Sequence, residues 1–468
     1  MKKIRITILL LLTVVISLCQ ARASHLREKN GVTFILELDS SITAKPQVIV
    51  YESAFYKYGS LLDDHQTFQP VYQHGNLYKF VLPAQNRAKY FTITAHSLPL
   101  DLHFVEMFVF EPGDNIKMKI KPAIRVRDFD VVFSGGQASK YTCRQKLKFL
   151  QQKQVGIDIL NKYKSAMSLY SYQLYYADMI FRLMNFEVDA NLFQLSVSVE
   201  QKDTAKIAQL RTQYLKNHQI VNTEGIPDRV LFNSAEYLQY RFTDCKLRCY
   251  NMAESYNGRV FFDEIKKIND RGLRDRLFVI YFINTWKNLR DDYDDILREA
   301  MVNTTDPACL TKLKAYGHNS KGQVAFNFAL QDKDGTIVKL SDFKGKAVFI
   351  DFYFTGCTFC KLFYKYVLAE VEPKYAANPD MVFISISVDR YKEQWLKTLQ
   401  QGEYTSNNTI NLYTNGERTN HPLIKYYNIL SYPSLMLIDR KGRIFKFASK
   451  ETRSKEGLEA ALNAVLAQ

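Results

Sequence analysis

A chain of 468 residues with 47% hydrophobic and 24% charged residues can hold two or three cored domains, which excludes a disordered polymer. Seven cysteines in that length exclude a disulfide scaffold. The formal charge of +15 is dispersed among acidic residues, as in KEQWLKTLQQGE and NLRDDYDDILRE, which argues against a nucleic-acid surface.

Residues 1–23 read as an export signal. MKKIR is a basic start, residues 6–18 form an apolar run short of a comfortable bilayer span, and Ala21-Arg22-Ala23 puts small residues at the cleavage-determining positions before Ser24. Losing Lys2, Lys3, Arg5 and Arg22 takes +15 to about +11. The expected location is the periplasm or the outer face of the cell envelope, with no nucleic-acid partner. A lipidated Cys19, disfavoured by the preceding Leu18, and an uncleaved anchor are the competitors, and membrane contact is expected only with them.

Residues 24–138 carry a strand grammar. VTFILEL, QVIVYESAF, LYKFVL, YFTITAH and FVEMFVF are rich in β-branched and aromatic residues, and EPGD is a turn before the alternating IKMKIKP. Six of the twelve prolines fall between Pro46 and Pro122, and an all-β, sandwich-like domain is expected. Residues 139–320 change to helical patterns such as LKFLQQKQVGIDILNKY and LFVIYFINTWKNL, with GHNSKGQ (317–323) as a linker.

Residues 321–468 alternate strand and helix. FNFALQDKDGTIVKL is a hairpin turning at Asp-Gly, and AVFIDFYF and MVFISISVD are apolar runs suited to strands buried on both faces. SLMLID and GRIFKFA pair through DRKG. The helix after Cys357 is expected to bury Leu362, Phe363, Tyr366, Val367 and Val371 on one face and to end or kink at Pro373.

Between AVFIDFYF and that helix lies TGCTFC, with Cys357 and Cys360 three positions apart. A cysteine in the first turn of a helix meets unpaired N–H groups and the positive end of the dipole, which favour the reactive thiolate. The pattern predicts an exposed nucleophile, Cys357, and a covered partner, Cys360, one turn on. Half a zinc site and two plain core cysteines are the alternatives. The first lacks a matching second pair, since Cys245 and Cys249 are spaced CxxxC in a helical stretch of another region.

FNFALQDKDGTIVKLSDFKGKAVFIDFYFTGCTFC, SISVD followed by Trp395, and YNILSYPSLMLIDRKGRI together resemble the α/β thioredoxin fold in its TlpA/ResA form, the exported thiol-disulfide oxidoreductases. The whole chain, with FEPGD in a β domain and a helical middle, is similar to longer bacterial members. The resemblance implies that Cys357 is the nucleophile, Cys360 the resolving cysteine, and Pro433 a cis-proline facing the pair, with the Tyr432 backbone open to an extended substrate. Pro433 as a plain strand-edge proline is the alternative. It also implies that Asp351, six residues before Cys357, assists proton transfer at the second cysteine; a purely structural carboxylate is the other reading. The implied partners are exported proteins with disulfides or thiols and an external electron donor or acceptor. No cofactor, metal, flavin or nicotinamide is implied.

Three features depart from the pattern. Gly356 replaces the common Trp, Thr358-Phe359 lacks the frequent Pro, and Phe363 stands where ResA-like proteins carry Glu. A thiol peroxidase is disfavoured because Phe354 and Ile350 occupy the Thr and Pro offsets, and a binding or scaffold protein docking through this domain remains an alternative. Cys143 and Cys309 are expected to be buried bystanders, and a strained Cys245–Cys249 disulfide is conceivable in an oxidising compartment.

Overall fold

The computed structural model describes residues 30–43, 45–55, 65–96, 101–123, 129–147, 150–217, 223, 225–252, 258–285, 292–447 and 451–468. The expected export signal, residues 1–23, and Cys19 lie outside them. Two compact units are present. One holds the described residues up to Ala190 together with 223–240, and the other holds 191–217 and 241–468. No helix among the described residues is long and apolar enough to cross a membrane.

The first unit is built on nine strands: β1 Val32–Leu38, β2 Lys45–Tyr51, β3 His65–Phe68, β4 Tyr72–His74, β5 Leu77–Leu82, β6 Lys89–His96, β7 Asp101–Phe110, β8 Asn115–Pro122 and β9 Phe129–Ser134. They form sheets of order β4-β5-β1-β8-β9 and β3-β2-β6-β7. Alternation in the sequence produces the core directly. Val32, Phe34, Leu36 and Leu38 point inward from β1 and meet Val48, Phe91 and Phe110 of the other sheet. The strands β3 (HQTF) and β4 (YQH) are too short and polar to show such alternation.

The FEPGD turn is tied to the first helix, Ala138–Leu147. Asp114 is buried and accepts from Tyr141 Oη at 2.6 Å, Gln137 Nε2 and the Glu111 N–H at 2.8 Å each, and Lys140 Nζ. In the same unit Asp178, fully buried on helix Leu169–Glu200, accepts from Arg144 at 2.8 Å, Ser234 Oγ at 2.6 Å and Tyr90 Oη at 3.2 Å. Cations and hydroxyls thus offset the desolvation of both carboxylates.

The C-terminal domain lies in the second unit. Its strands are β10 Ala329–Asp332, β11 Ile337–Lys339, β12 Ala347–Tyr353, β13 Met381–Ser387, β14 Ile410–Tyr413, β15 Ser434–Ile438 and β16 Ile444–Phe447, in the order β11-β10-β14-β13-β12-β15-β16. Strand β12 is central, parallel to β13 and antiparallel to β15, and buried at every residue. Val348, Ile350 and Phe352 face one layer with Ile424 and Tyr427, while Ala347 and Phe349 face the other with Phe363, Val367 and the C-terminal helix Lys455–Leu466. Burying each such apolar side chain stabilises the fold by roughly 1.5–3 kcal/mol over exposure. The thioredoxin-like α/β architecture is the one expected.

Two expectations are corrected here. The helix Thr358–Phe363 runs into a π-helical turn, Tyr364–Leu368, before Ala369–Val371. Its buried stripe is Phe363, Val367, Leu368 and Val371; Leu362 and Tyr366 are 42% and 53% exposed, because the wider turn brings Leu368 inward. The GHNSKGQ segment is not a free linker. Asn319 is buried, the His318 ring stacks on Tyr426 at 4.0 Å, and Asn428 Nδ2 donates to the Oη of nearby Tyr316 at 3.1 Å.

Candidate active site

Strand β12 delivers the chain to a tight turn at residues 354–357, closed by the Cys357 N–H donating to the Phe354 carbonyl at 3.2 Å. Its third residue, Gly356, has φ +96°. A turn with positive φ at that position favours glycine, so the departure from the family's Trp has a backbone reason. Cys357 then caps the helix, and its Sγ accepts from the Cys360 N–H at 3.1 Å. The two sulfurs are joined as a disulfide, S–S 2.06 Å, with Cα atoms 5.3 Å apart.

The expected contrast between an exposed Cys357 and a covered Cys360 is absent. The residues are 5% and 3% exposed, because Tyr353, Trp395, Tyr404 and Tyr413 pack around both. Tyr353 stacks on Tyr404 at 5.6 Å and Trp395 on Tyr413 at 5.0 Å. What separates the two cysteines is position: Cys357 at the cap, Cys360 within the helix.

Tyr432 packs against the same cluster and meets Phe354 edge-on at 5.4 Å. The Tyr432–Pro433 bond is cis. Among the described residues no hydrogen bond uses the Tyr432 backbone N–H or C=O, and Phe359 stands 74% exposed on the rim.

Asp351 shares its strand face with Phe349 and Tyr353, by alternation along β12, and is 3% exposed. Ser385 Oγ, opposite it on β13, donates to Asp351 Oδ1, a partner that sequence reading did not supply. Burial pushes the Asp351 carboxyl up to about 7; the Ser385 bond opposes this and the Glu372 charge adds to it. Glu372 is itself buried. Its Oε1 accepts from Ser406 and Thr409 hydroxyls at 2.7 Å each, and its Oε2 has no partner. The sequence signalled Glu372 only as a residue before Pro373.

A family profile described as thioredoxin-like matches residues 345–444. The thiol-disulfide oxidoreductase ResA of Bacillus thuringiensis subsp. konkukian is 30% identical over 144 residues, 31% of this chain and 78% of that protein. The chain belongs to the ResA/TlpA-like thiol-disulfide oxidoreductases. The Bacillus subtilis ResA is 27% identical over 128 residues, 27% of this chain and 66% of its own. A solution structure of a thiol:disulfide interchange protein from Bacteroides sp. is 27% identical, covering 32% of this chain and 91% of that one, with a TM-score of 0.26. This ResA/TlpA-like chain is therefore an enzyme of the thioredoxin-like class, in which the domain occupies the last third of a longer polypeptide.

The other described cysteines of this oxidoreductase lie away from the pair in the sequence. Among the described residues, Cys143, Cys245, Cys249 and Cys309 are buried and form no disulfide. Burial pushes the thiols of Cys143 and Cys245 up to about 11 and that of Cys309 to about 12. The conceivable Cys245–Cys249 disulfide is not formed. The Cys245 sulfur instead accepts from Arg248 at 3.4 Å on the same helix, Ala235–Met252. Among the described residues no group of three or more His, Cys, Asp or Glu could hold a metal ion.

Proposed function

We propose that the chain is an exported thiol-disulfide oxidoreductase exchanging disulfides with protein substrates through Cys357 and Cys360. The observation that carries this reading is the disulfide at the strand-to-helix turn, with Cys357 at the cap. In the reduced enzyme the Cys357 thiolate attacks a substrate disulfide, forming a mixed disulfide and releasing one substrate thiolate, which takes a proton. Cys360, deprotonated with help from Asp351, attacks the Cys357 sulfur and releases the second substrate thiol. Two electrons and two protons pass to the substrate, and an external dithiol donor restores the enzyme; the reverse direction oxidises a substrate dithiol. An extended substrate pairs with the Tyr432 backbone beside Pro433. The basic, then apolar, first 23 residues support export to the periplasm or outer envelope face, with membrane contact only if that segment stays uncleaved or lipidated.

The test is the Cys360→Ser variant, purified from its own compartment under non-reducing conditions. It retains the attacking thiol but not the resolving one, so covalent adducts with exported proteins accumulate and dissociate on reduction. Cys357→Ser traps at least ten-fold less. Equal trapping by the two variants, or none where the wild type turns over, rejects the assigned roles.

A further inference from the structure

The turn before Cys357 is short of internal bonds. Its closure uses only the Cys357 N–H, leaving the N–H groups of Thr355 and Gly356 to find partners elsewhere. Both are taken by buried side chains from distant parts of the domain. Asp389 Oδ1 accepts from the Thr355 N–H at 2.8 Å, and the Tyr404 hydroxyl accepts from the Gly356 N–H at 3.0 Å. Asp389 Oδ2 accepts from the Thr355 hydroxyl at 2.7 Å and from Ser387 Oγ at 2.9 Å. With its proton given to the carboxylate, Thr355 Oγ1 accepts from the Thr398 hydroxyl at 2.8 Å, on helix Lys392–Gln401. Asp389, Thr398 and Tyr404 are 4%, 2% and 6% exposed. A buried carboxylate that spends two of its three acceptor bonds on Thr355, two residues before Cys357, is an expensive way to close an ordinary loop.

We propose that Asp389 is a positioning residue for the redox couple: it clamps the Thr355–Gly356 turn so that the Cys357 sulfur stays within reach of Cys360 when a substrate is covalently attached. This rests on the reading of Cys357 and Cys360 as the exchanging pair. The first attack is bimolecular and tolerates a loose turn, because the incoming disulfide can follow the thiolate. Resolution is intramolecular, and a displacement on the order of 1 Å at the attacked sulfur can cost about a hundred-fold in rate.

The experiment uses the full, reduced chain and an aromatic chromogenic disulfide. Attack by Cys357 releases one coloured thiolate and leaves the second on Cys357; attack by Cys360 on the Cys357 sulfur releases the second as the enzyme disulfide forms. The two colour phases therefore read the two steps separately. Asp389→Ala is expected to slow the second phase about ten-fold or more while changing the first less than about three-fold. It should also weaken the enzyme disulfide about ten-fold, a rise of about 30 mV in the reduction potential of the couple. Asp389→Asn, which keeps an acceptor for the Thr355 N–H, restores most of the second phase. Thr355→Val, which keeps the N–H and loses the hydroxyl, lies between them and decides the matter together with Asp389→Asn if the alanine variant does not fold.

An unchanged ratio of the two phases in these variants, or equal slowing of both with only a lowered melting temperature, overturns the clamp. A wild-type chain that yields no mixed disulfide at Cys357 rejects the underlying redox reading instead.

Discussion

Two buried carboxylates of the N-terminal unit and two of the C-terminal domain, Asp351 and Glu372, are partnered in opposite ways, while Asp389 of the C-terminal domain is well supplied with donors. Asp114 and Asp178 are saturated: each accepts from a cation, Lys140 or Arg144, and from tyrosine and other donors. Asp351 receives one side-chain donor, the Ser385 hydroxyl, and Glu372 keeps an oxygen without a partner. A carboxylate closed in by cations and hydroxyls is a tie between elements. One left with a single side-chain donor, Asp351, is pushed up to about 7 by burial, six residues upstream of Cys357 in the sequence. The same residue type thus sits in different surroundings according to what the fold puts beside it.

The comparison breaks first at Lys140. Lys140→Met removes the buried cation from Asp114 and Glu111 and leaves Asp114 uncompensated. The expected loss is about 3–5 kcal/mol in urea denaturation at neutral pH. A loss below about 1 kcal/mol would mean that the pair is no tie at all.

Asp351→Asn tests the other side. The Asp351 carboxyl, pushed up to about 7 from 3.8, keeps its proton in the folded chain where the unfolded chain has lost it. Its contribution to stability is complete below about pH 4 and is lost as pH rises through about 7, on the order of 4 kcal/mol at most. The Asn variant should lack that decline, so unfolding curves at pH 5 and pH 8 lie closer together than in the wild type. If the two proteins show the same slope, burial does not hold the proton on Asp351 at neutral pH.

Glu372→Gln is the finest probe. It removes the nearby like charge while an amide oxygen still accepts from Ser406 and Thr409. The midpoint of the Asp351-dependent decline should move down toward the ordinary carboxylate range, with a stability change of about 1 kcal/mol or less at pH 8. An unmoved midpoint in the same pH series assigns the Asp351 environment to burial alone.

What local order could encode was legible in the chain. The seven residues of β12 form a continuous apolar run interrupted by Asp351, and they occupy a strand buried on both faces. The cysteine spacing put Cys357 at a helix cap and Cys360 one turn on, and the proline before SLMLID stands at the head of β15. Periodicity and turn chemistry act over a few residues, so they survive without the fold.

Only the tertiary structure decided which side chains meet across the sheet. Thr355 reaches Asp389 across 34 residues of sequence and Gly356 reaches Tyr404 across 48. Ser385 answers Asp351 because β12 and β13 pair in one register, and aromatic rings from three separate segments bury both cysteines alike. Gly356 stood in the sequence as a departure and acquired its meaning from a backbone angle. Burial along β12 follows from its hydrophobic pattern, whereas that of Leu362, Tyr366 and Cys357 does not, and the partner, with it the proton affinity of Asp351 and the hold on the cysteine turn, follows from non-local pairing that no local pattern records.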